Sequence, residues 1–120
     1  MAEAVEGIGG VFFRTSNPDE LRAWYAEHLG IEMESFGTVF TANDGDKTVW
    51  APFPADTDYF GSRGQQLMVN FRVRDLDAMF AQLRAAGVEV VDRVEEQEYG
   101  RFGWATDREG NRFELWEPPR

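Results

Sequence analysis

Few residues in this chain can do chemistry. It contains no cysteine and a single histidine, His28, so disulfides, thiolate metal sites and a cysteine nucleophile are excluded. A Ser-His-Asp triad would have to use His28, and Ser16, Ser35 and Ser62 carry no supporting motif. Neither a Gly-rich phosphate loop nor a Gly-x-Ser-x-Gly elbow is present. What remains is one carboxylate, one amide and several arginines on strand-like runs. Glu114 lies in Arg112-Phe-Glu-Leu-Trp-Glu117, Asn70 and Arg72 in Met68-Val-Asn-Phe-Arg-Val73, and Arg14 in Gly10-Val-Phe-Phe-Arg-Thr15. Arg101 follows Tyr99-Gly100. A carboxylate among aromatic neighbours has three readings: a general base, an anchor for a ligand, or half of a buried ion pair with Arg14, Arg72 or Arg112. Burial favours its neutral form and arginines oppose that. Asn70, a polar amide on an apolar strand, needs partners, either backbone or ligand. Arg101 is placed to clamp a carboxylate, or to pair with Glu95, Glu96 or Glu98.

The elements that position these groups repeat. Gly10–Thr15 reads as a strand. Asn17 is a good N-cap, Pro18 suits the first helical position, and Asp19 and Glu20 complement the helix dipole. Leu21, Trp24, Tyr25 and Leu29 fall on one helical face, and Gly30 ends the helix. His28, in the last turn, reads as a dipole contact or surface packing. The pattern returns: Met68–Val73 is a strand, Asp75 caps a helix with an apolar face of Leu76, Met79, Phe80 and Leu83, and Gly87 stops it. At an offset of 58, Val11 meets Val69, Phe13 meets Phe71, Arg14 meets Arg72 and Leu21 meets Met79. Three strand-like runs follow each helix, at 31–36, 38–42 and 48–53, then at 88–93, 101–106 and 112–117. The expected architecture is therefore α+β, with two βαβββ repeats at about 8–53 and 65–118, and a turn-rich linker at 54–64, in one domain spanning 1–120.

Alternation along the strands sorts their faces. With Val11, Phe13, Val69 and Phe71 beneath the helices, Gly10, Phe12, Arg14, Met68, Asn70 and Arg72 face the opposite, concave side. Arg112, Glu114 and Trp116 join them, and Tyr99 and Arg101 sit at the mouth. An aromatic cup with a few polar groups suits a small organic ligand.

The same stretches resemble the vicinal-oxygen-chelate superfamily, which includes glyoxalase, bleomycin-resistance and extradiol-dioxygenase proteins. The resemblance rests on Gly10-Val-Phe-Phe-Arg-Thr with Leu21–Gly30, on Val69–Ala78 with Leu83–Glu89, and on Tyr99-Gly-Arg-Phe102 with Asp107–Pro118. It implies two βαβββ units forming concave sheets, and often a homodimer. It also implies one divalent metal in the cup, held by first-strand and last-strand residues of each unit. Those positions fall here on Gly10, Met68, Trp50 (or its neighbour Val49) and Glu114. One carboxylate with a glycine, a thioether and an aromatic is not a hard-metal site, so no metal or other cofactor is expected. Trp50 and Trp116 read as ligand stackers or as core, and Met68 as a cavity filler.

The formal net charge of −10 disfavours nucleic acid and favours a cationic partner. No apolar run approaches membrane-spanning length, and the segment Met1–Glu6 lacks the features of a signal peptide, which points to a cytoplasmic protein without membrane contact. The sequence is thus read as a metal-independent binder of a small aromatic or cationic molecule. The alternatives are a lyase or isomerase using Glu114 as acid or base, and a metal-dependent enzyme of the glyoxalase or dioxygenase type.

Overall fold

The helix signals act where the sequence puts them. The computed structural model describes residues 2–62 and 64–119. Strand β1 (Gly7–Thr15) leads into helix α1 (Pro18–Leu29). The Asn17 side chain accepts the Glu20 backbone N–H at 3.1 Å, and Gly30 leaves the helix in the left-handed region at φ 68. Strands β2 (Thr38–Thr41) and β3 (Lys47–Pro54) complete the first repeat. The second begins with β4 (Leu67–Arg72) and α2 (Leu76–Ala85), whose cap Asp75 accepts the Ala78 N–H at 3.0 Å. It continues through β5 (Glu89–Val90), β6 (Glu95–Gln97), β7 (Gly100–Thr106) and β8 (Arg112–Glu117).

The two repeats join inside one chain. The strand order is β2-β3-β1-β4-β8-β7-β5, with β6 paired to β7. Within each repeat the first strand pairs parallel with the last, β1 with β3 and β4 with β8. The seam between repeats is the antiparallel pair β1 and β4. One row therefore crosses the whole sheet in register: Val49, Gly10, Asn70, Glu114 and Trp104. The register of the seam shifts by a bulge between Ile8 and Gly10, which turns Gly9 toward the concave face.

Three expectations are corrected. Residues 31–36 form no strand, because Glu34 and Gly37 exchange backbone hydrogen bonds of 2.8 and 2.9 Å that close a turn and pair with nothing else. The run at 88–93 contributes only Glu89–Val90, while the acidic stretch Glu95–Gln97, outside the expected strand runs, supplies β6. Helix α1 buries no residue; Trp24 and Leu29, expected on its apolar face, are 50% and 59% exposed. By contrast α2 buries Leu76, Met79 and Phe80, which join Val73 and Leu115 in one core cluster.

A second cluster lies on the concave side: Phe12, Ala51, Phe60, Met68 and Trp104. Phe60 comes from the linker, which the sequence reads as turn-rich and which instead inserts a fully buried ring into one end of the cup. No helix of the described residues is long and apolar enough to cross a membrane.

Gly103 in β7 faces α2, and a Cβ there would run into the ring of Phe80. Overpacking of this kind costs about 1–3 kcal/mol. Gly103→Ala is expected to lower the unfolding free energy by that amount in a urea titration while leaving the far-ultraviolet circular dichroism of the folded state unchanged.

Candidate functional site

The end of the cup that Phe60 leaves open is a cavity of about 340 Å³. Its floor is the central row of the sheet, with Asn70 and Glu114. Its walls are aromatic and aliphatic: Phe12, Ala51, Phe53 and Tyr59 toward the linker, Val39, Val49 and Phe36 toward the β2 edge, and Phe102, Trp116 and Tyr99 on the far side. Gly9, Lys47 and Gln97 complete the lining. The rings of Phe102 and Trp116 are nearly parallel at 5.9 Å, and those of Phe53 and Tyr59 stack at 5.4 Å. Flat, π-rich walls of this kind favour a planar organic ligand.

Glu114 is 1% exposed. Its Oε1 accepts from Asn70 Nδ2 at 2.6 Å, and its Oε2 accepts from Trp104 Nε1 at 2.9 Å and from the Tyr59 hydroxyl. Among the described residues no arginine, lysine or histidine pairs with it. Burial pushes its pKa above the ordinary carboxylate value, the hydrogen bonds from Tyr59, Asn70 and Trp104 pull it down, and the Glu95 carboxylate pushes it up further. Burial, and then the charge of Glu114, drive the Tyr59 hydroxyl well above its usual range, so it is a neutral donor.

Phe12, Asn70, Tyr99, Glu114 and Trp116, five of the residues singled out by sequence, converge on the cavity. The others do not line it, and each has a physical reason. The arginines do not neutralise Glu114. Arg14 donates to the backbone carbonyls of Gln65, Ala55, Thr57 and Ser62 at 2.7–2.9 Å and lies 4.9 Å from the Phe60 ring centroid. It clamps the linker instead. Arg112 lies against Gly61 of the same linker. Arg72 donates to the carbonyls of Ile8 and Lys47, both at 2.7 Å, and tacks β4 to β1 and β3. Arg101 pairs with Asp77 at 3.0 Å and Glu96 at 3.1 Å, outside the cup. Met68 is fully buried in the concave cluster. Trp50 points to the helix side, against Phe13 and Tyr25, and the lining position on β3 belongs to Val49.

Sequence reasoning missed Tyr59 and Trp104, the two donors on Oε2. Tyr59-Phe60 is the only adjacent aromatic pair in an otherwise polar linker, and that contrast was its signal. Trp104 had a signal as well, since it alternates with Phe102 on a strand expected to face the cup.

The positions where the family would hold a metal are occupied by Gly10, Val49, Met68 and Glu114. This set contains one hard oxygen ligand and does not fit a divalent ion. Both acceptor sites of Oε2 are already engaged by N–H and O–H donors. No group of three or more His, Cys, Asp or Glu among the described residues could hold a metal.

The model of the Glyoxalase/Bleomycin resistance protein/Dioxygenase superfamily matches residues 7–115, and the chain belongs to that superfamily. No curated protein matches the sequence. Among solved structures, methylmalonyl-CoA epimerase of Streptomyces coelicolor in complex with 2-nitronate-propionyl-CoA is similar, with 18% identity and a TM-score of 0.75, covering 98% of this chain and 100% of that one. The Mycobacterium tuberculosis methylmalonyl-CoA epimerase gives 22% identity and a TM-score of 0.68, over 97% and 90% of the two chains. A structure described as an NAD-dependent benzaldehyde dehydrogenase from Legionella pneumophila gives 15% and 0.61, over 92% and 98%. At these identities the likeness is one of fold.

Two outcomes are expected. Arg14→Met leaves three linker carbonyls and that of Gln65 without their donor, so it should cost about 3 kcal/mol or more in a denaturant titration. The pH profile of stability follows from Glu114. Its folded pKa lies above the unfolded value, so its contribution is complete below the ordinary carboxylate pKa of 4.5 and is lost as pH rises through the folded value. Melting temperatures between pH 4.5 and 8 should fall more steeply for the native protein than for Glu114→Gln; identical slopes would contradict a raised pKa.

Proposed function

We propose that this protein binds a small aromatic, cationic molecule in the cup, without a metal. The observation that carries the reading is Glu114, a nearly inaccessible carboxylate at the floor of an aromatic cavity, hydrogen-bonded to neutral donors and, among the described residues, paired with no cation. Neutral donors lower the cost of burying the charge but do not cancel it. A ligand cation would supply the counter-charge, and Glu95 and the net charge of −10 would draw it in. The walls would hold the ring system by stacking and by cation–π contact. Binding itself, with no bond made or broken, would be the activity.

A second reading has one observation in its favour. Burial moves the Glu114 pKa upward, toward the range of a general acid or base, and epimerases share the fold. A lyase or isomerase would use Glu114 to move a proton on an acidic carbon of its substrate. Against this, three donors already stabilise the anion and blunt its basicity.

The test is isothermal titration of a panel of aromatic amines in the presence of a chelator. Binding is expected to survive chelation and to weaken at least tenfold in Glu114→Gln, which keeps the shape and removes the charge. Absence of binding across the panel, or binding that needs added Zn(II), Ni(II), Mn(II) or Fe(II), overturns the proposal. Deuterium exchange into a bound carbon acid, abolished in Glu114→Gln, would favour the enzyme instead.

A further inference from the structure

The polar atoms at the floor of the cup can be balanced one by one. Oε2 of Glu114 accepts twice, from Tyr59 and Trp104, and has no capacity left. Oε1 accepts once, from Asn70 Nδ2 at 2.6 Å, and retains room for another donor. Asn70 turns its N–H toward that oxygen, and its own Oδ1 has no hydrogen-bond partner among the described residues although the residue is 2% exposed. A buried amide oxygen without a donor is a costly arrangement. Both unused acceptors belong to neighbours in register on β4 and β8, and both side chains line the cavity.

The wall beside them is kept thin. The bulge in β1 brings Gly9 to the cavity opposite Asn70, and any Cβ there would run into Asn70 Oδ1 and approach Trp116 Cε3 to 2.7 Å. Glycine at this point preserves the space around the unpaired oxygen.

The geometry points to a specific docking group: a protonated primary or secondary amine, whose N–H bonds are received by Glu114 Oε1 and Asn70 Oδ1 while its aromatic portion lies between the ring walls. This rests on the binding function proposed above and narrows it. A quaternary ammonium carries the charge but has no N–H and leaves both acceptors unmet. An alcohol donates a hydrogen but brings no charge. Discrimination is therefore made by hydrogen bonding at the floor, and the aromatic walls contribute affinity with little selectivity among cations.

The experiment uses the intact protein and three matched probes: 2-phenylethylamine, its N,N,N-trimethyl analogue and 2-phenylethanol, titrated by calorimetry at pH 7. The amine is expected to bind about tenfold or more tightly than either analogue, as a charged hydrogen-bond pair requires. Equal affinity for the amine and the trimethyl analogue overturns the inference and leaves the aromatic-cation reading standing. Equal affinity for the amine and the alcohol overturns both, as does failure of all three to bind. Asn70→Leu, which removes the unpaired acceptor, should narrow the amine-to-trimethyl ratio; an unchanged ratio removes Asn70 from the docking site. Should that variant fail to fold, the probes on the native protein decide the matter alone.

Discussion

The constraint on which the site depends is the burial of a carboxylate that pairs with no cation among the described residues. Glu114 sits in the central row of the sheet, where Gly10 and Val49 give no polar help. Its charge is tolerated because donors reach it from three separate elements: Asn70 from β4, Trp104 from β7 and Tyr59 from the linker. The first two are fixed by strand register. The third must travel, and much of the remaining structure exists to deliver it.

That delivery explains the arginines. Arg14 satisfies three carbonyls of the linker and that of Gln65 just after it, and covers the Phe60 ring. The far end of the linker is fixed by Gln65, whose side chain accepts from the Arg112 N–H at 2.8 Å and donates to the Arg112 carbonyl at 2.7 Å. An irregular segment with buried backbone must find hydrogen-bond partners somewhere, and here Arg14 supplies them to the linker carbonyls while Gln65 ties the segment's end to β8. With its ends held, the segment seats Phe60 in the concave core and Tyr59 over Glu114. The linker is thus at once a plug for one end of the cup and a wall of the other.

Much of the fold is legible in the sequence, because it is written in local signals. Asn17, Pro18, Gly30 and Asp75 mark helix ends by chemistry that needs no tertiary context, and the offset of 58 aligns the repeats. Alternation gives the correct face for Phe12, Asn70, Glu114 and Trp116. The same rule gives the face of Arg14 and Arg112 but not their role. A face is a half-plane, and it says nothing about which part of that half-plane the linker covers. Trp50 failed for a different reason: hairpin register decides between Val49 and Trp50, and one residue reverses the face. Tyr59 was hidden because its partner Glu114 lies far along the chain, and β6 because its Glu-Glu-Gln run, paired to β7 across a tight turn, carries no apolar alternation. No local period marks a segment whose structure is imposed by contacts with β1, β7 and β8.

The relation to the superfamily's metal chemistry follows from the same donors. In a metal site of this fold the carboxylate would offer its lone pairs to an ion. Here both lone-pair sites of Oε2 face N–H and O–H groups, and the equivalent positions on β1, β3 and β4 hold a glycine, a valine and a methionine. A carboxyl group so surrounded by fixed neutral donors has one oxygen still able to accept. Under the proposed function, such a group would select a ligand that brings both a positive charge and a hydrogen. Fold and site therefore separate: the repeats carry the superfamily fold, while Tyr59, Trp104 and the bulge at Gly9 shape the surroundings of Glu114 and Asn70.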